Sequence, residues 1–301
     1  MSQNNQQLEH WCYLACVMEA TARKPGNVHP TASFPDLNYA DFLKSAAVIA
    51  PLLAQSTEQS TGELVLSCIR ETQRAVTSNS NLGMVLLLAP LMQIPAKLNI
   101  AEGIHDVLDQ LTVEDACAVY EAIRIANPGG MGTAEAEDIA LEPTETLREV
   151  MCLAAERDSI AREYASDFQI ILKTGVPAIT EYWNQTDCWE TAIIRLQLRL
   201  MADFPDTLIA RKRGLAEAEA ASNRARSVLQ SEAGTGQLEE FDSWLREQGN
   251  KRNPGTTADL IVATLFVALR DGFIPAPAPG TIIEKIPPQF HPYLNSKFHH
   301  E

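Results

Sequence analysis

Positive charge is scarce in this sequence. Its 301 residues include 24 Lys and Arg against 39 Asp and Glu, which gives a formal net charge of -15. Nucleic-acid binding rests on basic side chains that neutralise phosphates, so this balance argues against a nucleic-acid partner. An acidic protein can still bind a nucleotide when a metal ion supplies positive charge at the site.

Long apolar runs and paired cysteines are also missing. The longest apolar stretch, residues 84–92, contains a proline and is far shorter than the ~20 residues that a membrane-spanning helix needs. The first seven residues lack the basic and apolar regions of a secretory leader. The six cysteines are scattered without a C-x-x-C pair, which favours buried, reduced thiols. We therefore expect no membrane partner and a cytoplasmic location.

Several familiar catalytic motifs are absent as well. The sequence contains no G-x-S-x-G, no H-E-x-x-H, no Rossmann fingerprint and no P-loop. Its six histidines show no metal-ligand spacing, so zinc is not expected. Core material is ample, because 46% of the residues are hydrophobic and a chain of this length can fold without disulfides or zinc.

Apolar residues recur at helical spacing along nearly the whole chain. Runs of β-branched residues bounded by turns are scarce, so the sequence predicts an all-α fold. No linker or repeat divides it, and we predict one domain over residues 1–272 with a proline-rich, extended tail over 273–301 that packs on it or trails from it. About ten helices are expected, over residues 8–23, 39–54, 62–77, 84–98, 112–125, 144–173, 187–204, 211–229, 238–248 and 257–270.

Capping and breaking residues set the expected helix ends. Asn38 is placed to cap the second helix. Two pairs have the spacing of capping boxes, Thr112 with Asp115 and Asp187 with Glu190. The glycine and proline within residues 175–177 should end the long sixth helix.

The first helix break combines charge with flexibility. Residues 19–27 read E-A-T-A-R-K-P-G-N, with Glu19 one turn before the expected helix end. Lys24 and Gly26 could contact phosphates through an ammonium group and exposed backbone N–H groups. Alternatively, the cations only complement the dipole at a helix C-terminus. Spacing alone leaves both interpretations open.

Two more breaks carry polar residues beyond what a turn requires. Asp36 and Asp41 bracket a helix start and could offer Mg²⁺ the oxygen ligands it prefers, although acidic residues also favour helix N-termini electrostatically. Gly255 and Thr256 lead into the last expected helix, whose first-turn N–H groups could bind an anion. That segment, residues 253–259, ends on Asp259.

Two further acidic positions are ambiguous from the residues alone. Asp158 lies at near-helical spacing with Arg162, Glu163 and Asp167, where salt bridges on a solvated face would explain the pattern. Asp206 follows a proline and precedes two basic residues. Neither position identifies a site without further information.

Taken together, these segments resemble the triphosphoribosyl-dephospho-CoA synthase family. The matching pieces occur in family order from residue 19 to about residue 270. They are E-A-T-A-R-K-P-G-N-V at 19–28, S-F-P-D-L at 33–37, D-F at 41–42, S-A at 45–46, N-S-N-L-G at 79–83, R-D-S-I-A at 157–161 with Tyr164, P-D-T at 205–207, and residues 253–260.

This resemblance implies an all-α enzyme that uses ATP with Mg²⁺. The family reaction joins the ribose of ATP to the 2'-hydroxyl of dephospho-CoA and expels adenine. By matching position, the resemblance implies catalytic roles for Glu19, Asp36 and Asp158 and metal ligation by Asp36, Asp41, Asp158 and Asp259. It implies nucleotide contacts for Lys24, Gly26, Asn27, Asn79, Asn81, Gly83, Asp206, Gly255 and Thr256. A homodimer is a further expectation.

One segment departs from the family pattern. Typical synthases have Asn-Thr-His-Lys-Gly where this chain has N-S-N-L-G at residues 79–83. The present form resembles a branch from archaea and bacteria with methanopterin-linked one-carbon metabolism. A related nucleotide acceptor, a step in the synthesis of a one-carbon cofactor, and a non-catalytic nucleotide-binding role are therefore alternatives at this point.

Overall fold

A computed structural model describes residues 3–55, 59–78, 80–128, 139, 141–231 and 235–294. Within these ranges all regular secondary structure is helical, apart from two isolated β-bridges in the loop after the first helix. The α-helices are α1 Gln3–Thr21, α2 Tyr39–Leu53, α3 Thr61–Ala75, α4 Leu82–Met92, α5 Ile100–Asp109, α6 Val113–Ala126, α7 Leu147–Ala154, α8 Ser159–Ala165, α9 Val176–Asn184, α10 Trp189–Asp203, α11 Thr207–Arg213, α12 Leu215–Gln230, α13 Thr235–Arg246, α14 Gly255–Arg270 and α15 Pro279–Ile283.

The predicted all-α fold is confirmed, but the helices are shorter and more numerous than expected. The sixth expected helix, residues 144–173, is divided into α7, α8 and a single π-helical turn, Ile170–Gly175. Asp158 causes the first break, because its carboxylate accepts from the N–H groups of Ile160 and Ala161 and so begins a new helix. Helix α5 was not expected at all.

Some of the predicted helix ends are confirmed. Asn38 caps α2 by accepting from the Asp41 N–H at 3.1 Å, and Thr112 and Asp115 form a capping box at α6. The predicted capping box at Asp187 and Glu190 is wrong, because Glu190 turns away to bind Arg23. The predicted stop at residues 175–177 is also wrong, since a proline is tolerated in the first turn of α9.

Two helices form the centre of the hydrophobic core. Ten of the eleven residues of α4 are buried, and in α14 every residue from Leu260 to Leu269 is buried. A helix that is apolar on all sides can only be stable when neighbours cover it completely. Helices α1, α4, α9 and α10 all pack against α14. A smaller cluster joins α10 to α13 and includes Met201, Ile209 and Phe241.

The proline-rich segment after α14 packs against the helical domain. Ile274, Ile282, Ile286 and Leu294 are buried, and the Trp189 indole N–H donates to the Thr281 carbonyl at 3.3 Å. The expectation of a wholly extended chain is wrong, because residues 279–283 form α15 and Pro288–Tyr293 form a 3-10 helix. No helix among the described residues is long and apolar enough to cross a membrane.

The cysteines follow the expectation only in part. Cys12, Cys16 and Cys68 are buried in the core, whereas Cys117 and Cys152 are exposed and Cys188 is half-buried. The two exposed thiols lie on the outer faces of the amphipathic helices α6 and α7. The helical periodicity of the sequence alone therefore does not show that Cys117 and Cys152 lie on the solvent-facing sides of their helices.

Glu190 links three parts of the chain. It accepts two hydrogen bonds from the Arg23 guanidinium, at 2.7 and 2.8 Å, and lies 3.2 Å from the Lys285 ammonium of the C-terminal segment. Burial alone would raise the pKa of Glu190, but the bonds from Arg23 and Lys285 outweigh it and lower the pKa to about 2. The ionised carboxylate therefore stabilises the fold.

Glu190→Gln should destabilise the protein in a pH-dependent way. A carboxyl group whose folded pKa is depressed stabilises the fold above its unfolded pKa, and this contribution is lost as pH falls through the folded value. The loss should therefore be largest above about pH 5 and should shrink as pH falls toward 3. Urea unfolding at pH 6 and pH 3 measures it, with Glu71→Gln as a control at an exposed ion pair. An equal loss at both pH values would contradict this assignment.

Candidate functional site

A cavity of about 770 Å³ lies where several of the polar helix breaks described from the sequence meet. The C-terminal half of α1, the loop before α2, the start of α4, the α7–α8 turn, α11 and the start of α14 form its polar part. The polar and charged side chains that line it are Glu19, Asn27, Asp36, Ser80, Asn81, Arg157, Asp158, Arg211, Lys212, Asn250, Asn253, Thr256 and Asp259. Residues far apart in sequence thus line one cavity.

The other part of the cavity is mainly aliphatic, with one tyrosine. Helices α6 and α7 supply most of its surface, and Ile160 of α8 adjoins it. We call this surface the apolar wall, and it consists of Val119, Tyr120, Ile123, Leu147, Val150, Met151, Leu153 and Ala154. Leu153 is 54% exposed, so the wall extends from the interior to the protein surface.

Glu19 faces the cavity with a buried counter-ion behind it. The chain reverses after α1, and the fully buried Lys24 places its ammonium 2.9 Å from the Glu19 carboxylate. Lys24 also donates to the carbonyl oxygens of Glu19 and Ala22. Burial raises the pKa of Glu19, and the Lys24 ammonium opposes that shift. The pair holds one carboxylate fixed at the cavity surface.

Asp259 lies opposite, on α14, against the first turn of α4. A Cβ atom at Gly83 would lie 2.0 Å from Asp259 Oδ2 and 2.6 Å from Ile160 Cδ1. Only glycine therefore leaves room for the carboxylate. Among the described residues Asp259 has no hydrogen-bond or ion-pair partner. Burial, together with the charges of Glu19, Asp206 and Asp158, raises its pKa well above the usual value.

Both carboxylate oxygens of Asp158 accept hydrogen bonds. One oxygen caps α8, at 2.8 Å from the Ile160 nitrogen, and the other accepts from the Arg211 guanidinium of α11 at 2.5 Å. The N-cap role explains why an acidic residue is needed at this turn, and the ion pair brings a cation to the cavity.

Asp36 and Lys212 flank the same side of the cavity. Two consecutive tight turns, closed by paired backbone bonds between His29 and Ala32 and between Phe34 and Leu37, place Asp36 at the second turn. Its carboxylate accepts from the Asn250 side chain. Burial lowers the pKa of Lys212, and the charge of Asp36 opposes that shift. Lys212 lines the cavity, so its ammonium is a second cation there.

A chain of side-chain amides orients Asn253. The buried Gln197 donates to Asn27 Oδ1 at 2.8 Å, and Asn27 Nδ2 donates to Asn253 Oδ1 at 2.8 Å. Gln197 also donates to the Pro25 carbonyl at 2.9 Å, which fixes the direction of the chain. Because its oxygen already accepts, Asn253 presents its NH₂ group as a donor.

A known protein family matches this chain over all the residues that give the cavity its polar groups. The family model for ATP:dephospho-CoA triphosphoribosyl transferase matches residues 5–275, which include every polar residue of the cavity. The chain belongs to this transferase family. The resemblance inferred from the sequence motifs is thereby confirmed.

A solved structure is similar to the transferase over most of its length. It is the crystal structure of a proposed triphosphoribosyl-dephospho-CoA synthase from Archaeoglobus fulgidus, with 27% sequence identity and a TM-score of 0.63. The match covers 77% of this chain and all of the other. Among curated protein sequences, none matches the chain significantly.

The structure brings most of the predicted site residues of this transferase together. Nine of them line the cavity: Glu19, Asn27, Asp36, Asn81, Gly83, Asp158, Gly255, Thr256 and Asp259. Asn79 lies outside the described residues. The chemical roles suggested by the resemblance remain predictions, since geometry alone shows only that these groups share a space.

Four predicted residues lie away from the cavity surface. Lys24 turns inward to Glu19, so a phosphate contact from it is not supported. Gly26 has a φ of +73° and donates its N–H to Asp242 at 2.7 Å, which fixes the loop against α13. Asp41 accepts from the side chains of Asn38 and Ser78, at 2.9 Å each.

The fourth of these residues, Asp206, caps two helices. One of its oxygens accepts from the N–H groups of Leu208 and Ile209 in α11, and the other accepts from the N–H and hydroxyl of Thr257 in α14, all within 3.0 Å. The anion expected at the start of α14 is therefore supplied in part by the protein itself. Gly255 and Thr256 still line the cavity.

Asp206→Ala should destabilise the transferase by roughly 2–4 kcal/mol, since one cap is worth about 1 kcal/mol and buried unpaired donors cost more. Urea unfolding measures the change. Asp203→Ala is a matched control three residues earlier, where an exposed pair with Arg199 should contribute less than about 1 kcal/mol. Equal losses in the two variants would exclude the double cap.

The cations of the site are not evident from the sequence motifs. Arg211 and Lys212 are there only two basic residues after Asp206, and no motif indicates Asn250 or the apolar wall. The sequence nevertheless contains a signal for these two residues. Asp206 can cap a helix that begins at Thr207, and such a helix places Arg211 and Lys212 on neighbouring faces.

The oxygen donors at the cavity decide whether it suits Mg²⁺. Among the described residues no group of three or more His, Cys, Asp or Glu is arranged to hold a metal ion. Mg²⁺ in nucleotide sites, however, takes one or two carboxylates together with phosphate oxygens and water. Asp36, Asp158 and Asp259 line the cavity, and Asp259 lacks a neutralising partner among the described residues. The residues present therefore fit a Mg²⁺–nucleotide complex.

Proposed function

We propose that this protein transfers the triphosphoribosyl group of ATP to the 2'-hydroxyl of dephospho-CoA and releases adenine. One observation carries the proposal: carboxylates and cations from segments spread between residues 19 and 259 converge on one cavity that also has an apolar side. Such a cavity provides charge for a ribosyl transition state and for a polyphosphate in adjoining regions. The family to which the chain belongs has this reaction.

The reaction exchanges one bond at the anomeric carbon of the ATP ribose. The bond from that carbon to adenine breaks and its electron pair leaves with the base, while the 2'-oxygen of the acceptor forms the new bond. The hydroxyl loses its proton, and adenine gains one overall. Positive charge develops on the ribose in between, which nearby carboxylates stabilise, as in glycoside hydrolysis. We assign this role to Asp259 and Glu19, which both line the cavity.

Phosphate binding falls to groups that the structure places at the cavity. Arg211 and Lys212 present a guanidinium and an ammonium, and Asn253 presents an amide donor. One or two of the cavity carboxylates Asp36, Asp158 and Asp259 would hold Mg²⁺, which supplies neutralising charge for the triphosphate in an acidic protein. Lys24 contributes indirectly by fixing Glu19.

Incubation of the protein with ATP, Mg²⁺ and dephospho-CoA tests the proposal. Chromatography should detect free adenine, and mass spectrometry should detect dephospho-CoA enlarged by one triphosphoribosyl group. A dephospho-CoA analogue with hydrogen in place of the 2'-hydroxyl should give neither product. Absence of adenine with the natural acceptor would reject the proposal. Omission of Mg²⁺ should abolish turnover if the expected metal requirement is correct.

Two further sequence expectations remain predictions. A cytoplasmic location can be examined by cell fractionation. A homodimer can be examined by light scattering, which gives the molar mass in solution.

A further inference from the structure

The apolar wall has no role in the reaction chemistry described so far. Its aliphatic side chains neither stabilise a charged transition state nor bind phosphate. Val150 and Met151 are 9% and 8% exposed, and they line the cavity. An aliphatic surface inside an otherwise charged cavity needs an apolar occupant to exclude water from it.

The packing of the helices gives the chemistry of the cavity a fixed order. Helix α11, which contains Arg211 and Lys212, packs against α14, which contains Asp259. Helix α14 packs in turn against α4 and α8, and these pack against α6 and α7. Gly83 marks the boundary, since the space for its missing Cβ is shared by the Asp259 carboxylate and the Ile160 side chain. The order is therefore a charged region, which contains Arg211, Asp158, Arg157 and Asp259, followed by the apolar wall.

ATP has the same order along its length. Its triphosphate is attached at C5' and its base at C1', on opposite sides of the ribose. With the phosphates at Arg211 and Lys212 and the ribose at Asp259, the base is directed to the far side. We infer, on the basis of the transfer reaction proposed above, that the apolar wall binds the adenine base of ATP, the leaving group.

The acceptor offers two competing occupants: its own adenine base, which the KM values for the two substrates distinguish, and its pantetheine arm, which its connectivity disfavours. In dephospho-CoA a diphosphate separates the arm from the ribose whose 2'-hydroxyl reacts. If that hydroxyl is near Asp259, an arm along the apolar wall would draw the diphosphate toward an aliphatic surface, where its charge would lose solvation. Adenine is a flat neutral ring that can stack on aliphatic side chains without this cost.

Two conservative variants of the wall test the inference. Val150→Thr retains the shape of the side chain and adds a hydroxyl, and Met151→Gln retains its length. Each should raise the KM for ATP about tenfold, because a small change in a hydrophobic pocket alters binding by that order. Each should also weaken the binding of free adenine, measured by calorimetry, by a similar factor. The KM for dephospho-CoA should change by less than twofold.

A variant of the same helix serves as the control. Cys152→Ser alters an exposed residue of α7 that does not line the cavity, and it should leave all three constants unchanged. Thermal melting of each variant establishes that it is folded, and Val150→Thr provides the result if Met151→Gln is unfolded. An increased KM for dephospho-CoA with an unchanged KM for ATP would overturn the inference in favour of the acceptor, namely its adenine base if adenine binding weakens and its pantetheine arm if it does not. No change in any constant would also overturn it.

The binding measurement separates this inference from the proposed reaction. Calorimetry with adenine requires no turnover. If the unmodified protein released no adenine from ATP, the proposed reaction would fail, yet wall variants that weaken adenine binding would still support a base pocket. If turnover occurred and adenine bound equally to all variants, the reaction would stand and the inference would fail.

Discussion

Asp259→Asn is expected to reduce the rate of adenine release by about 10²- to 10³-fold while making the protein more stable. The rate falls because Asp259 ionises when Mg²⁺–ATP brings the expected cation beside it, and the variant removes that negative charge from the ribose site. The folded state becomes more stable because the half-buried carboxyl group of Asp259, near Glu19, Asp206 and Asp158, lies in an unfavourable environment that raises its pKa. Adenine release at saturating ATP and Mg²⁺ measures the first effect, and thermal melting without nucleotide measures the second.

The stability gain should depend on pH in a defined direction. A carboxyl group whose folded pKa is raised is destabilising once the pH exceeds its unfolded pKa, because the unfolded chain ionises freely and the folded one does not. The variant and the unmodified protein should therefore have equal stability below about pH 4 and diverge as pH rises. A variant that is inactive and also less stable at neutral pH would contradict this account of Asp259.

Gly83→Ala is expected to impair the same carboxylate without altering its charge. The added Cβ would lie 2.5 Å from Asp259 Cγ, so the carboxylate must move. A displacement of about 1 Å in a reacting group can cost about 10²-fold in rate. The crowding of Ile160 should also destabilise the fold by about 1–3 kcal/mol.

Gly280→Ala provides the matched control, since a Cβ at that position meets no atom within 4 Å. It should retain full activity and at least the original melting temperature. The double variant Gly83→Ala with Asp259→Asn should be hardly slower than Asp259→Asn alone, because both changes act on one carboxylate. Additive rate losses would show that Gly83 acts through some other group.

Local sequence signals predicted the fold class and several helix ends. Asn38 and the Thr112–Asp115 pair cap helices by bonds within three residues, so spacing alone reveals them. The division into α7 and α8 was missed because apolar periodicity continues through Asp158, and only the carboxylate's bonds to the next turn break the helix. Glu190 was assigned to a local cap because its real partner, Arg23, is 167 residues away.

For the candidate site, too, contacts close in sequence were predictable and contacts between distant residues were not. Ordered motifs selected nine residues that line one cavity, but they could not show which direction each side chain takes. Lys24 was expected to face a phosphate, and it faces Glu19 because an unpaired carboxylate at that depth would be costly. The apolar wall was invisible because its residues resemble any core-facing stripe on a helix.

The double cap formed by Asp206 has a consequence for how the site meets its substrate. Arg211 and Lys212 lie on one of the helices that this carboxylate ties down, and Asp259 lies on the other. The distance from the cations Arg211 and Lys212 to the carboxylate of Asp259 is therefore set during folding, before a nucleotide binds. Such preorganisation means that binding energy need not be spent on drawing the two helices together, and more of it is available to the transition state.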